Sequence, residues 1–233
     1  MGKLTTITNS SNGNIQETAR KVGAKKAFKS SCNTLLVKAY KKLQSDVAYE
    51  VTWEEDTFTA NMYKVLDEIC LDEEAFYMPI YQEHQLTEYI LSGVTRPLKA
   101  KKIDIVFATF YKPRLKYRIE AKILAECNTD KRNANNLSKE YVVSGIDRFV
   151  KKEYEPDGCM IGYIVNGNAD SVLKAINLVL TGTNREKEIL KGKHFIDEYE
   201  FCYDSEHCDF GLKHFLFHFL DADTIWQDKN GIK

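Results

Sequence analysis

The chain of 233 residues lacks any apolar run approaching the ~18 residues of a membrane helix, so no membrane span is expected. Its first residues, MGKLTTITNSSNGNIQ, lack the apolar stretch of a secretory leader, and a cytoplasmic location is the expectation. MGKLTT fits the myristoylation pattern loosely, but without a second membrane signal the match is set aside. The six cysteines, at 32, 70, 127, 159, 202 and 208, never form a CxxC pair, and read as reduced, mostly buried side chains. There is no GxGxxG and no P-loop, hence no nucleotide-binding signature, and neither GxSxG nor HExxH occurs. No internal repeat is visible, and low complexity is confined to residues 1–14.

What is present is an ordinary globular composition, 43% apolar and 29% charged, with the charge unevenly placed. Residues 20–42 carry Arg20, Lys21, Lys25, Lys26, Lys29, Lys38, Lys41 and Lys42 and no acid. Residues 96–118 carry Arg96, Lys99, Lys101, Lys102, Lys112, Arg114, Lys116 and Arg118 against Asp104 alone. Between them, residues 46–88 are acidic, with Lys64 their one basic side chain. A net charge of −1 does not announce a polyanion binder, yet local potential decides such binding, and two basic blocks keep phosphate binding open. The competing reading is lysines solvated on helix surfaces.

The polar stretch 1–14 reads as a flexible tail, followed by a helix over about 16–44 with Leu35, Leu36, Ala39, Tyr40 and Leu43 on its apolar side. Phe58, Met62, Val65 and Ile69 recur at helical spacing; Thr52 is the expected cap, and Glu54, Glu55 and Asp56 suit the positive end of the helix dipole. KKIDIVFATF, the turn YKPR and LKYRIEAKIL predict a β-hairpin over 103–124. LSKEYVVSGIDRFVKKEY reads as a helix, CMIGYIVNG as an interior strand, and NADSVLKAINLVLTG as a helix capped by Asn168. EYEFCYD and KHFLFHFLDA predict a second antiparallel pair. Interleaved strands and helices make the class α/β or α+β with a mixed sheet. A third strand beside the hairpin is either YMPIYQEHQLTEYIL or absent.

One strand carries chemistry. Residues two apart share a face of a strand, so Arg118, Glu120 and Lys122 point one way from YRIEAKIL while Tyr117, Ile119, Ala121 and Ile123 point the other. Pairing through the YKPR turn sets Asp104 beside Glu120 and Lys122. Two carboxylates at the rim of a buried sheet repel each other and are costly to desolvate. A hard divalent cation resolves that conflict: Asp104, Glu120 and the backbone carbonyl of Ala121 are oxygen donors of the kind Mg²⁺ prefers, with water and a phosphate oxygen completing the shell. Lys122 can then orient or deprotonate a water, or stabilise charge developing on the phosphate.

IDIVF followed by YRIEAKIL resembles the PD-(D/E)XK nuclease superfamily, the restriction-endonuclease-like fold, over roughly residues 50–165. The resemblance includes the order of elements: a leading helix, a meander bearing Asp and then Glu-x-Lys, a following helix and an apolar strand. It departs at Ile103, where many members have proline. It implies a restriction-endonuclease-like mixed sheet flanked by helices over 46–233, with 1–45 a tail and a basic helical N-terminal extension. The implied catalytic set is Glu55, Asp104, Glu120 and Lys122, Glu55 being favoured over Glu54 because it shares the inward face with Phe58 and Met62. The implied cofactor is Mg²⁺, for which Mn²⁺ can substitute. Lys102, Arg118, Tyr141, Arg148 and Lys151 would contact nucleic acid or line and brace the site.

The expected activity is hydrolysis of phosphodiester bonds, with DNA favoured over RNA as substrate. Analogy with similar nucleases suggests the effector of a bacterial anti-phage system, with self-association as a homodimer or a partner protein supplying recognition or activation. The alternatives are a catalytically silent nuclease-fold protein that binds nucleic acid or a partner, and an RNase. Cys202, His207, Cys208, His214 and His218 are residue types zinc favours, but their spacing fits no familiar zinc motif, and structural histidines are the preferred reading. Trp53 and Trp226 read as core or edge residues.

Overall fold

The computed structural model describes residues 10–46, 49–84, 88–92, 96 and 100–219. Residues 1–9 of the expected tail, the end of the expected last strand and Trp226 lie outside them. Seven strands form one mixed sheet in the order β1-β2-β3-β4-β7-β6-β5. These are β1 (Tyr77–His84), β2 (Lys102–Thr109), β3 (Lys116–Leu124), β4 (Gly158–Ile164), β5 (Lys191–Ile196), β6 (Tyr199–His207) and β7 (Phe210–His218). β3, β4 and β7 run parallel to their neighbours in the middle, and the flanking pairs are antiparallel. β4 is buried along its whole length, as its uninterrupted apolar run GCMIGYI requires of an interior strand covered on both faces.

The open question of a third hairpin strand is settled by β1, which pairs antiparallel with β2 from Tyr77↔Thr109 to His84↔Lys102. The predicted hairpin forms with Ile105 opposite Ile119. β6 and β7 form the expected second pair, and β5 adds a strand that the charged KGKHFI stretch conceals.

Helices cover both faces. On one side lie α1 (Ser10–Asp46) and α2 (Glu55–Asp72), followed in the chain by the single turn α3 (Glu88–Leu91). Phe28, Leu35, Leu36, Tyr40 and Leu43 of α1 are buried with Phe58, Met62 and Leu66 of α2 against Ile105, Ile119, Ile161 and Phe215. At roughly 1.5–3 kcal/mol for each large apolar side chain removed from water, α1 is a layer of the core rather than an appendage to it. It also begins at Ser10, inside the stretch expected to be tail. Thr52 does not cap α2: Glu54 is its N-cap, and the Thr52 hydroxyl bonds Glu50.

The other face carries α4 (Ala134–Glu140), a π-helical turn (Tyr141–Ile146), α5 (Asp147–Val150) and α6 (Ala169–Gly182), burying Tyr141, Ile146, Phe149, Ile176 and Leu180 on Met160 and Leu216. The helix predicted through Tyr154 therefore stops early. Lys152 takes a left-handed backbone (φ 56°), which ends the helix and sends the chain back beneath it. Asn168 caps α6 as expected, accepting from the Ser171 amide at 2.9 Å. No helix among the described residues is long and apolar enough to cross a membrane.

Candidate metal and phosphate site

The β2–β3 ladder runs from Ala108↔Lys116 to Ile105↔Ile119 and there ends, although β3 continues to Leu124. Continuing the register would set Ala121 against Ile103; instead, side chains take over the backbone groups. The Ala121 amide donates to Asp104 Oδ2 at 2.7 Å. The Ala121 carbonyl accepts from Lys122 Nζ at 2.7 Å. The backbone of Ile123 lies beside the Glu55 carboxylate and favours its charged form. Buried backbone groups must find partners, so a strand that parts from its neighbour in the interior needs side chains of this kind. The acids and the lysine stand at a splay between two strands and satisfy its open edge.

Four sequence-predicted residues converge there. Lys122 Nζ lies 2.8 Å from Glu55 Oε1 and 2.8 Å from Glu120 Oε1. Glu55 comes from the first turn of α2, whose start is tied down by Arg132, donating to the carbonyls of Val51 and Trp53. Glu54, exposed at the cap position, makes no such contact in the site. Glu120 is fully buried, Lys122 is 7% exposed and Asp104 is partly exposed.

Glu120 has a second set of partners. Arg148 Nη1 lies 2.8 Å and the Tyr154 hydroxyl 2.9 Å from its Oε2. Arg148 also donates to the Tyr154 oxygen at 2.6 Å. Three carboxylates thus face two cations, Lys122 and Arg148, in a largely desolvated space. Burial, then the charge of Glu120, pushes the Asp104 carboxyl up to about 7. Burial also raises Glu55, more than Lys122 lowers it. For Lys122 burial acts downward, but Glu120, Glu55 and Asp104 together outweigh it and hold the ammonium charged.

The remaining predicted contacts are placed differently. Tyr141 is fully buried, its hydroxyl 2.9 Å from His214 Nδ1, so the expectation that it touches nucleic acid is corrected: it has no surface to offer. Lys151 pairs with Asp147 at 2.9 Å on the helix surface. Arg118, on the predicted face but at the other end of β3, pairs with Glu155 at 2.7 Å. Lys102 directs its ammonium to Gln82 at 3.1 Å, and its carbonyl, not its charge, meets Tyr154. Much of the N-terminal basic block is neutralised: Lys25 and Lys29 by Asp157, Lys38 by Glu73, and Lys42 by Glu68.

The histidines and cysteines near the C-terminal end are built into the fold. His214 sits between Tyr141 and the Ser205 hydroxyl, and burial pushes its pKa well below the usual histidine range. His207 sits between Ser205 and Glu188. Cys202 is buried and Cys208 exposed. Among the described residues, no three Asp, Glu, His or Cys side chains stand together as a ready ligand cluster.

The sequence reading missed Tyr154 and Arg132, one holding Glu120 and the other the start of α2. A tyrosine directly before EPDG and an arginine in a polar loop give no periodic signal. Comparison of the chain with protein-family models, with curated proteins and with solved structures finds no match in any of the three.

Proposed function

We propose that the protein is a Mg²⁺-dependent endonuclease of the PD-(D/E)XK kind, hydrolysing phosphodiester bonds of DNA. The observation that carries the proposal is the convergence of Glu55, Asp104, Glu120 and Lys122 at the β2–β3 splay, with the Ala121 carbonyl among them. Support also comes from the order of elements: an antiparallel β1–β2–β3 meander, then a helical crossover to β4 parallel to β3.

The donor set fits a hard cation. Asp104 and Glu120 Oε1 are carboxylate oxygens, the Ala121 carbonyl is a third oxygen, and Mg²⁺ ordinarily keeps several waters beside one or two carboxylates. Burial, and after it the charge of Glu120, raise the Asp104 pKa, and a bound divalent ion would offset both. When bound, Mg²⁺ would supply Lewis acidity toward the phosphate and lower the pKa of a bound water.

The protein groups divide the remaining work by charge and exposure. Lys122, kept protonated by its three acidic neighbours, serves as a cation and not as a base: it holds the attacking water's oxygen or the charge growing on the phosphate. Glu55 stands at the outer side with its side chain 32% exposed and its pKa raised by burial, a placement suited to accepting the water's proton. Asp104 and Glu120 hold the ion, and Arg148 donates a charged hydrogen bond to Glu120.

The test is supercoiled plasmid incubated with Mg²⁺, with Mn²⁺ or with EDTA, with an RNA substrate in parallel. Wild type is expected to nick or linearise DNA only with metal. Lys122→Ala and Glu120→Ala are each expected to lose about 100-fold or more of that rate, the scale for removing one preorganised charge contact. Equal cutting by wild type and both variants would defeat the assignment, and metal-dependent cutting of RNA alone would move the substrate to RNA.

A further inference from the structure

The contacts of Tyr154 go beyond the metal-binding set. Its hydroxyl lies 2.9 Å from Glu120 Oε2 on β3 and 2.9 Å from the carbonyl of Lys102 on β2. Lys102 is two residues before Asp104, so one oxygen atom touches both strands that carry the site's carboxylates, just where their ladder has ended. A phenol has one hydrogen to give, and Arg148 donates to its oxygen from the other side at 2.6 Å. Arg148 also approaches Glu120 and, at 3.4 Å, the Lys102 carbonyl.

We infer that Tyr154, with Arg148, is a positioning residue that brackets β2 to β3 across the splay and fixes Glu120 so that Oε1 faces the metal. The contacts of the carboxylate support this: Tyr154 takes Oε2, Lys122 takes Oε1, and Arg148 Nη1 lies 2.8 Å from both oxygens, so the plane of the group is fixed from two sides. Second partners of this kind lock the rotamer of a ligating carboxylate and raise metal affinity without touching the ion. Tyr154 is held for the purpose. It is 1% exposed, its ring packs edge-on against Phe149 at 5.3 Å, and its amide donates to the Arg148 carbonyl at 3.0 Å. Burial and the charge of Glu120 push its pKa up, so it remains a donor throughout the physiological range.

This inference rests on the metal-dependent reading, and the test separates the two. Mn²⁺ is titrated calorimetrically, without nucleic acid, into wild type, Tyr154→Phe, Arg148→Met and Tyr203→Phe. Tyr203 is the control, a buried tyrosine elsewhere whose hydroxyl has no hydrogen-bond partner. The expected result is about 10-fold weaker Mn²⁺ binding by Tyr154→Phe, the lower end of the scale for losing a ligand's supporting partner. Its metal-free melting temperature should stay within the range of wild type and the control, and Tyr203→Phe should bind as wild type does. Arg148→Met, at a position 27% exposed, reads the same bracket from its other member and decides the matter if Tyr154→Phe does not fold. Unchanged Mn²⁺ affinity in a folded Tyr154→Phe or Arg148→Met protein overturns the bracket while leaving the nuclease proposal standing. A wild type that binds no Mn²⁺ overturns both.

Discussion

Asp104 is where the electrostatics of the site become measurable without any substrate. Its carboxyl, raised to about 7 by burial and by Glu120, keeps its proton in the fold to a higher pH than in the unfolded chain. The unfolded state therefore binds fewer protons between about pH 4 and pH 7, and the contribution of this group to stability declines as pH rises through that window, then levels off. Asp104→Asn removes the titration and keeps an oxygen for the Ala121 amide. Discounting for the water that reaches this partly exposed side chain, the variant is expected to gain about 2 kcal/mol on wild type between pH 5 and pH 8. Denaturant unfolding of the metal-free proteins at the two pH values measures this, and a constant difference between them would show that Asp104 titrates as an ordinary surface carboxylate. At this scale the sequence was informative. The Glu-x-Lys triplet and the upstream Asp were legible because strand alternation fixes which side chains share a face. Tyr154 was not, because the helix expected to carry it ends at Val150 and the left-handed Lys152 turns it back toward Glu120.

The elements around the site meet at two glycines that differ in what surrounds them. A Cβ on Gly158, at the start of β4, would land on the carbonyl oxygen of Arg118 and lie 2.7 Å from Phe149 Cε1. Strand backbone cannot retreat without breaking the parallel β3–β4 ladder that begins with Arg118↔Gly158. A Cβ on Gly145, in the π-helical turn, would meet the Met160 Cε, the free end of an adaptable thioether, and rest 3.7 Å from Lys122 Cγ. Gly158→Ala is therefore expected to cost more than about 3 kcal/mol and Gly145→Ala about 1 kcal/mol, read from urea unfolding. Equal losses would mean that β4 shifts as easily as the methionine does. The β-hairpin and α6 were visible in the sequence because their signals are local: a turn between alternating runs, and an Asn cap before an apolar stripe. The π-helical turn was not visible, since it depends on how the helix fits over Met160 and Lys122. β5 was missed because its side chains are mostly exposed and charged, and only pairing with β6 makes it a strand.

For the molecule as a whole, α1 decides whether there is a folded unit without the N-terminal part. Its buried residues share one cluster with α2 and six strands, and Tyr40 stacks on Phe217 at 4.3 Å. Removing residues 1–46 would bare that face of the sheet to water. The truncated protein is expected to lose its near-ultraviolet circular dichroism and bind a hydrophobic dye while keeping much of its helix and strand signal. A truncated protein that retains a cooperative melt and native near-ultraviolet dichroism would support residues 1–45 as an extension to a domain that folds from residue 46 onward. The sequence left this undecided because an amphipathic helix shows that it has an apolar side, not which surface that side covers.

By itself the sequence determined the mixed α/β class, the hairpin, the interior strand and the side-chain pattern of the acid–lysine strand. Each follows from periodicities set by backbone geometry and read over a few neighbouring residues. Only the tertiary structure decided that β2 and β3 part company at Ala121, that Glu55 arrives there from another layer, and that Tyr154 and Arg148 grip the carboxylate of Glu120. Those are meetings between segments far apart in the chain, fixed by the packing of helices on both faces of one sheet, and no local pattern encodes them.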